Sequence, residues 1–401
     1  MSATPATSSR RVNRLTPLRF VMVFGLLSGL GDIVYEGARS MTGPFLASFG
    51  ASAALVGFIS GAGEAVALVL RLPFGLLSDR TGRPWPITIV GYTITMVAAP
   101  LLAVAWAIWP AAALAVLERF GKAVRTPARD TMLAQASVDL GRGRAFAIHE
   151  ALDQTGALVG PLLVAAAIAT LGSMRWGFAV LAAPAVAALA VLAYLRRAVP
   201  VPAAYEPHES HRSRQPLTAP LPRTFWLYAG YTAINMLGFA TWAVFAYHLA
   251  TRDVVATPTI AVMYALAMGC AAVGALASGW AYDRIGLRGL VVVPALTAIV
   301  PFLAFSTTPA VVWGGAALWG ISLGIHESTM RAAVADLVPA HRRGAGYGTF
   351  TAVYGLAWLA GSTIVGASYA RSVGTAEAFI TATQVAALIA FVPVLRAVRR
   401  P

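Results

Sequence analysis

The chain has 401 residues, 58% of them hydrophobic and 11% charged, with a mean hydropathy of +0.71 and a formal charge of +14. A soluble protein of this size needs charged side chains over its surface, whereas lipid-facing surface needs none, so the composition points to a polytopic membrane protein. It argues against a nucleic-acid partner, because the arginines lie in short runs between apolar segments, and against a disulfide framework or thiol metal site, because Cys270 is the lone cysteine.

Residues 1–17 are polar and basic, with no small-residue cleavage site after a short apolar core, and read as a disordered cytoplasmic tail. A helix crosses a hydrocarbon core of about 30 Å with roughly 20 apolar residues. That ruler predicts spans near 18–41, 53–73, 86–107, 110–132, 145–170 and 174–195, a first bundle occupying 18–196. Ile108, Trp109 and Pro110 are read as the tight turn from the third span into the fourth. Residues 197–222, rich in Pro, Ser and His, form a cytoplasmic linker. Six more spans follow near 224–248, 258–281, 289–306, 310–332, 345–369 and 376–396, a second bundle within 223–397, before the cytoplasmic end at 398–401. Charges in the first, fourth and tenth spans weaken their hydropathy.

Arginine placement sets the orientation. With both termini inside, cytoplasmic segments hold 20 of the 30 basic residues and the outer loops three, Arg175, Arg252 and Arg371. Positive residues stay on the cytoplasmic side, so both termini are expected there.

Two loops share one pattern, G-x-x-x-D-R-x-G. It falls on Gly75, Asp79, Arg80 and Gly82, followed by Arg83, and again on Gly279, Asp283, Arg284 and Gly286; the aspartates are 204 residues apart. Arg142-Gly143 and Gly160 match Arg343-Gly344 and Gly361 at an offset of 201. Two unrelated motifs repeating at nearly one offset indicate an ancestral duplication, a transporter architecture with its site between the halves. Gly75 and Gly279 are expected to let helices approach closely, and the next glycine to permit a tight turn. The aspartate can pair with an arginine or a helix N-terminus, forming a latch that breaks as the conformation changes.

These loops resemble the signature of the major facilitator superfamily, and the resemblance covers essentially the whole chain. It implies an all-α integral membrane fold of twelve transmembrane helices in two pseudo-symmetric six-helix bundles. It also implies that Asp79 pairs with a fourth-helix arginine such as Arg129. Gly156, Gly160 and Pro161 resemble the fifth-helix motif of the family's drug/proton antiporters, although Val164-Ala165 stand where that motif ends in two glycines.

An ionisable residue at bilayer depth is expensive unless it faces a cavity or a partner. Asp32, Glu36 and Arg39 share one face of the first span. Glu64 lies in the second span, Glu118 and Arg119 in the fourth, and His149 and Asp153 one turn apart in the fifth. Glu36 is placed to neutralise Arg39, whereas Asp32 has no basic neighbour on its own helix. Arg125, Arg129, Asp130 and Arg331 are read as latch or snorkelling charges near the inner surface. Glu327 is expected to pair with Arg331. Five deep acids (Asp32, Glu36, Glu64, Glu118 and Asp153) against two deep arginines (Arg39 and Arg119) suit protons or a cationic, amphipathic solute. In the aromatic-rich seventh span, Phe239 and Trp242 are candidates for contact with a bulky apolar solute, and Asn235 for a substrate or interhelical hydrogen bond.

These features predict a proton-coupled exporter of an amphipathic small molecule, with import of a nutrient or organic acid, anchored by Arg119 and Arg39, as the alternative. A membrane-embedded enzyme or a receptor is the remote reading, because no metal cluster, activated nucleophile or phosphate loop appears. Without a G-x-x-x-x-G-K-[ST] loop, and with Lys122 the only lysine, the drive is expected from a proton gradient, with no cofactor. The expected setting is the cell (inner or plasma) membrane, with lipid, protons and a small molecule as partners and a monomeric state.

Overall fold

Backbone in lipid must satisfy its own hydrogen bonds, so long apolar runs become helices. The computed structural model describes residues 13–138, 140–205, 221–339 and 342–398, the side chains of Arg142, Arg144, Arg331 and Arg343 excepted. Among these residues every regular element is helical.

The first span is Pro17–Ser48, opened by Thr16, whose hydroxyl accepts from the Arg19 N–H. The second is Ala53–Val69, continued by Arg71–Thr81 and stopped at Gly82, whose φ of +60° is the left-handed cap a glycine provides. The third is Pro84–Leu101, the fourth Ile108–Ala136, the fifth Arg142–Leu171, and the sixth Met174–Ala179 followed by Ala182–Ala198. After the linker come the seventh (Arg223–Leu237 and Trp242–Thr251), the eighth (Thr257–Ile285) and the ninth (Val292–Ala304). The tenth is Pro309–Glu327 with Thr329–Leu337, the eleventh Arg343–Arg371 and the twelfth Val373–Val398.

Among the described residues, nine helical runs are long and apolar enough to cross a membrane, the eighth and ninth spans counting as one run, Thr257–Ala304. The fourth and tenth spans fall outside that count. The fourth carries Glu118, Arg119, Lys122, Arg125, Arg129 and Asp130, and the sequence of the tenth turns polar at His326, Glu327 and Arg331. Both are nonetheless full members of the bundle, the fourth packed on the third and the tenth on the eighth. This gives the twelve-helix all-α architecture expected. An even number of crossings puts the two ends of the chain and the linker on one side, called the terminal side below.

Two local expectations need correction. Ala107 caps the fourth helix, so Ile108, Trp109 and Pro110 form its first turn rather than the hairpin, which falls at 105–107. Proline is tolerated there because first-turn N–H groups have no intrahelical partner. The end of the N-terminal tail is also held. Asn13 Nδ2 donates to the Val201 carbonyl (2.9 Å), Arg14 N–H to that of Ala198 (2.7 Å), and Tyr205 OH to that of Leu15 (2.7 Å). Residues 1–12 and 206–220, the rest of the expected tail and most of the linker, lie outside the described residues.

Small residues set the helix seams, as they do where lipid supplies no hydrophobic drive between helices. A Cβ on Gly160 would sit 2.8 Å from Cα of Ile33, and one on Gly361 would sit 2.7 Å from Cα of Leu237. Fifth-on-first and eleventh-on-seventh are thus the same seam in the two halves, with the glycines at the offset read from sequence. Across the gap the second span packs on the eleventh and the first on the seventh, where a Cβ on Gly61 would lie 2.9 Å from Cα of Leu359 and one on Gly43 3.0 Å from Cα of Ala243.

Candidate substrate and coupling site

Helical spacing brings Asp32, Tyr35, Glu36 and Arg39 to one face of the first span, and that face meets the second and fourth spans. Arg39 Nη2 lies 2.6 Å from Glu64 Oε1, and Arg119 Nη2 lies 3.2 Å from the same oxygen. Arg39 also reaches Glu36 Oε1 at 3.6 Å, and Arg119 Nε reaches Glu118 Oε2 at 3.4 Å. Tyr264 of the eighth span donates its hydroxyl to Glu36 Oε2, tying the two halves together. All five charged side chains are buried or nearly so, and a buried charge persists only when paired.

Behind this layer Lys122 Nζ donates to Tyr35 OH (2.6 Å), and Tyr35 OH donates to Asp32 Oδ2 (3.2 Å). Deeper in the first half, His149 Nε2 and Ser28 Oγ are 2.8 Å apart, and Ser28 Oγ and Tyr92 OH 3.0 Å. The Arg125 guanidinium lies 4.3 Å from the centre of the Tyr92 ring.

Two cavities meet at the ion-paired layer. One extends toward the terminal side between Glu64, Leu68, Arg71 and Lys122 of the first half and His326, Glu327, Phe350, Tyr354 and Trp358 of the second. The other lies toward the opposite side and is bounded by Thr42, Ile59, Ser60, Leu102 and Ala243. Arg39, Glu64 and Arg119 line both. The triad therefore forms part of the wall between them.

The second half contributes mainly rings, with Glu327 as its carboxylate in the lining. The seventh span is broken at 238–241, and Trp319 Nε1 donates to the Ala240 carbonyl that the break frees (2.9 Å). Phe239 sits at this break with its ring centre 4.8 Å from that of His326. From His326 the rings run on through Tyr354 (6.2 Å) to Trp358 (5.8 Å further), and the Arg39 guanidinium lies 6.0 Å from the Trp358 ring.

The residues singled out from sequence divide accordingly. Arg39, Glu64, Arg119 and Glu327 line the terminal-side cavity, Glu118 lines the opposite one, and Glu36 joins the ion-paired layer. Asp32 is buried behind Tyr35 and lines neither cavity. Asp153 is set back on the fifth span, with Oδ2 3.9 Å from Arg129 Nη1. Trp242 is a strut rather than a cavity wall. Its Nε1 donates to the Ser40 carbonyl across the gap (3.0 Å), because an indole that is fully buried must place its N–H. Phe239 backs His326 instead of lining either charged cavity, and Asn235 lies one turn from Tyr231 with its backbone carbonyl accepting from Gln384 Nε2 (2.9 Å).

The charge count changes. Lys122 lines the cavity, and Arg125, expected near the surface, is 1% exposed and stacked on tyrosine. With Arg129 beside Asp153, five basic side chains stand among the five acids, so the expected acid excess is absent. The sequence count left out Lys122 and set Arg125 and Arg129 aside as latch or snorkelling charges; rings and carboxylates hold all three inside instead.

Of the latch residues, Asp79, Arg80, Gly82 and Arg83 are exposed at the terminal side. Arg129 has Asp130 (2.9 Å) and Asp153 as its carboxylate partners, in place of the Asp79 pairing implied by the resemblance. Pro127 approaches Gly75, at 3.6 Å from where a Cβ would lie, whereas no described atom comes within 4 Å of that point on Gly279. In the second loop Arg284 stacks on Trp280, 3.4 Å from the ring centre, and Gly286 has a φ of +59°. Arg331, the expected partner of Glu327, lies outside the described side chains. Gly156 packs on Gly29 and Gly160 on Ile33, with Pro161 inside the fifth helix. Sequence reasoning missed Lys122, Tyr35, Tyr264, His326 and Trp358 as site residues; the signal for Lys122 was its being the only lysine in the chain.

Twelve helices in two matching halves around a charged, membrane-buried gap form a transporter architecture. The chain belongs to the Major Facilitator Superfamily, whose family model matches residues 28–362. It is 48% identical over 378 residues to the uncharacterised protein Rv2265 of Mycobacterium tuberculosis, covering 94% of this chain and 92% of that one. The fold is similar to that of the nucleoside transporter NupG (TM-score 0.71, 12% identity, 95% of this chain and 100% of that one). It is also similar to a bacterial homologue of the human lysosomal transporter Spinster in an inward-facing, unoccupied conformation (TM-score 0.69, 15% identity, 94% and 95%). The protein is therefore an integral membrane transporter of a small molecule.

Proposed function

We propose that the protein works by alternating access as a proton-coupled exporter of a small amphipathic molecule, as a monomer in the cell membrane with both termini in the cytoplasm. One observation carries the coupling. Glu64 holds two guanidiniums on a single carboxylate oxygen, on the boundary between two cavities that lead to opposite sides. Two guanidiniums favour the charged carboxylate, so protonation follows once the halves part and Glu64 is drawn off Arg39 and Arg119; the proton then keeps the wall from re-forming. Asp32 stands one tyrosine behind Lys122 and serves as a second proton acceptor, reached through Tyr35. The terminal side is read as cytoplasmic from the arginine bias, and export from the Gly156–Gly160–Pro161 segment with its close seam on the first span. Import of an organic acid is the second reading, favoured by the basic lining of the terminal-side cavity.

Purified protein in proteoliposomes, given an imposed pH gradient and a panel of anionic, cationic and neutral solutes, tests this. Gradient-driven flux is expected, with its direction separating export from import. Asp32→Asn is expected to remove the response while the protein remains folded. Flux that ignores the gradient, or a wild-type response in Asp32→Asn, contradicts the proposal.

A further inference from the structure

The terminal-side cavity has an unequal lining. Four basic side chains, Arg39, Arg71, Arg119 and Lys122, face it against two carboxylates, Glu64 and Glu327. Glu64 is already shared between Arg39 and Arg119. Lys122 has no carboxylate within 4.0 Å among the described residues, and its ammonium rests on Tyr35 OH and ring. All four cations come from the first half. The facing wall, from the second half, is mostly aromatic, Phe350, Tyr354 and Trp358 beside His326, with Glu327 next to it.

That wall also carries unused hydrogen-bonding capacity. His326 is 0% exposed, yet neither ring nitrogen has a hydrogen-bond partner, and the buried indole N–H of Trp358 has none either. Buried polar groups in proteins are nearly always satisfied, and an exception calls for an occupant such as a ligand or water. These polar atoms belong to residues that line the same space as the Lys122 ammonium.

We infer that this cavity binds a flat aromatic organic anion. Its carboxylate-like group lies against Lys122, its ring against Tyr354 and Trp358, and a polar substituent or edge against His326. The inference rests on the transporter reading and names the substrate class of that site. An excess of cations at low dielectric favours an anion over a cation of the same shape. The rings supply area and stacking without charge preference. His326, able to donate or accept, selects among anions of similar size by leaving its nitrogens satisfied or not.

The test is equilibrium binding to the full-length protein in detergent, with no gradient, by isothermal titration calorimetry. The probes are naphthalene carboxylate, the matching naphthamide and naphthylmethylammonium. Only the carboxylate should bind saturably. Lys122→Gln should weaken it by about tenfold or more, the usual scale for a hydrogen bond to a charged group. His326→Phe should weaken it by about threefold, the scale for a neutral one. Each variant is compared after confirming a monodisperse elution profile, and the second stands if the first does not fold. Binding of the ammonium or amide as tightly as the carboxylate overturns the inference. So does absence of carboxylate binding, or equal carboxylate affinity in wild type and both folded variants. Because no gradient is present, the result is independent of coupling: gradient-driven flux of a cationic solute with no anion binding would sink the substrate class and leave proton-coupled transport standing.

Discussion

The first six spans furnish the gap with Glu36, Arg39, Glu64, Glu118, Arg119 and Lys122, whereas the last six furnish it with one carboxylate, Glu327, and the rings of His326, Phe350, Tyr354 and Trp358. Yet the two halves share a scaffold, down to Gly160 on Ile33 in one and Gly361 on Leu237 in the other. The backbone seams have stayed alike while the lining has diverged. Ion pairs are interdependent, because removing one member leaves another charge buried and unpaired. Ring contacts are closer to additive, and a lost ring leaves mainly a smaller cavity wall. The first half should therefore respond sharply to single changes and the second gradually.

The largest expected effect sits in the ion-paired layer. Arg119→Met leaves Glu64 and Glu118 with Arg39 as the remaining guanidinium nearby, and should cost about 3–5 kcal/mol, the scale for breaking a buried pair. A large fall in the thermal unfolding temperature in detergent would show it; an unchanged temperature would break the contrast between the halves. Next comes the shared scaffold. Gly156→Val drives a side chain into the Gly29 backbone and should cost about 1–3 kcal/mol, as overpacking does, whereas Gly230→Val, with no described atom within 4 Å of its Cβ position, should be far milder. Equal effects would mean that the fifth-on-first seam is not tightly packed. The smallest change belongs to the aromatic half. Trp319→Phe keeps most of the ring and loses the hydrogen bond to the Ala240 carbonyl, worth about 1 kcal/mol in the same assay.

Much of the scaffold was legible because it rests on one-dimensional signals. Apolar length gave the spans, and the G-x-x-x-D-R-x-G repeat with the Gly160–Gly361 offset gave the duplication. Helical period put Asp32, Glu36 and Arg39 on one face, and the structure keeps them there. What resisted was anything decided by the opposite helix. Trp242 and Phe239 look alike in sequence as mid-span aromatics, but Trp242 has Ser40 within reach of its indole N–H and Phe239 has the break at 238–241 beside it. Arg125 looks like a snorkelling charge until Tyr92 of the third span covers it. Asp153 looks like a free mid-depth acid until Arg129 reaches it from the fourth. His326 could not have been chosen from its neighbours in the chain, because its importance lies in what the surrounding rings fail to offer it.

The central claim is that Glu64 gates the wall between the cavities by gaining and losing a proton. Glutamine at this position imitates the protonated acid, so Glu64→Gln separates movement of the solute from its drive. In proteoliposomes loaded with a transported solute, the variant should still exchange internal for external solute with no gradient. It should fail to concentrate solute when a pH gradient is imposed. Gradient-driven accumulation equal to wild type in Glu64→Gln would contradict the account.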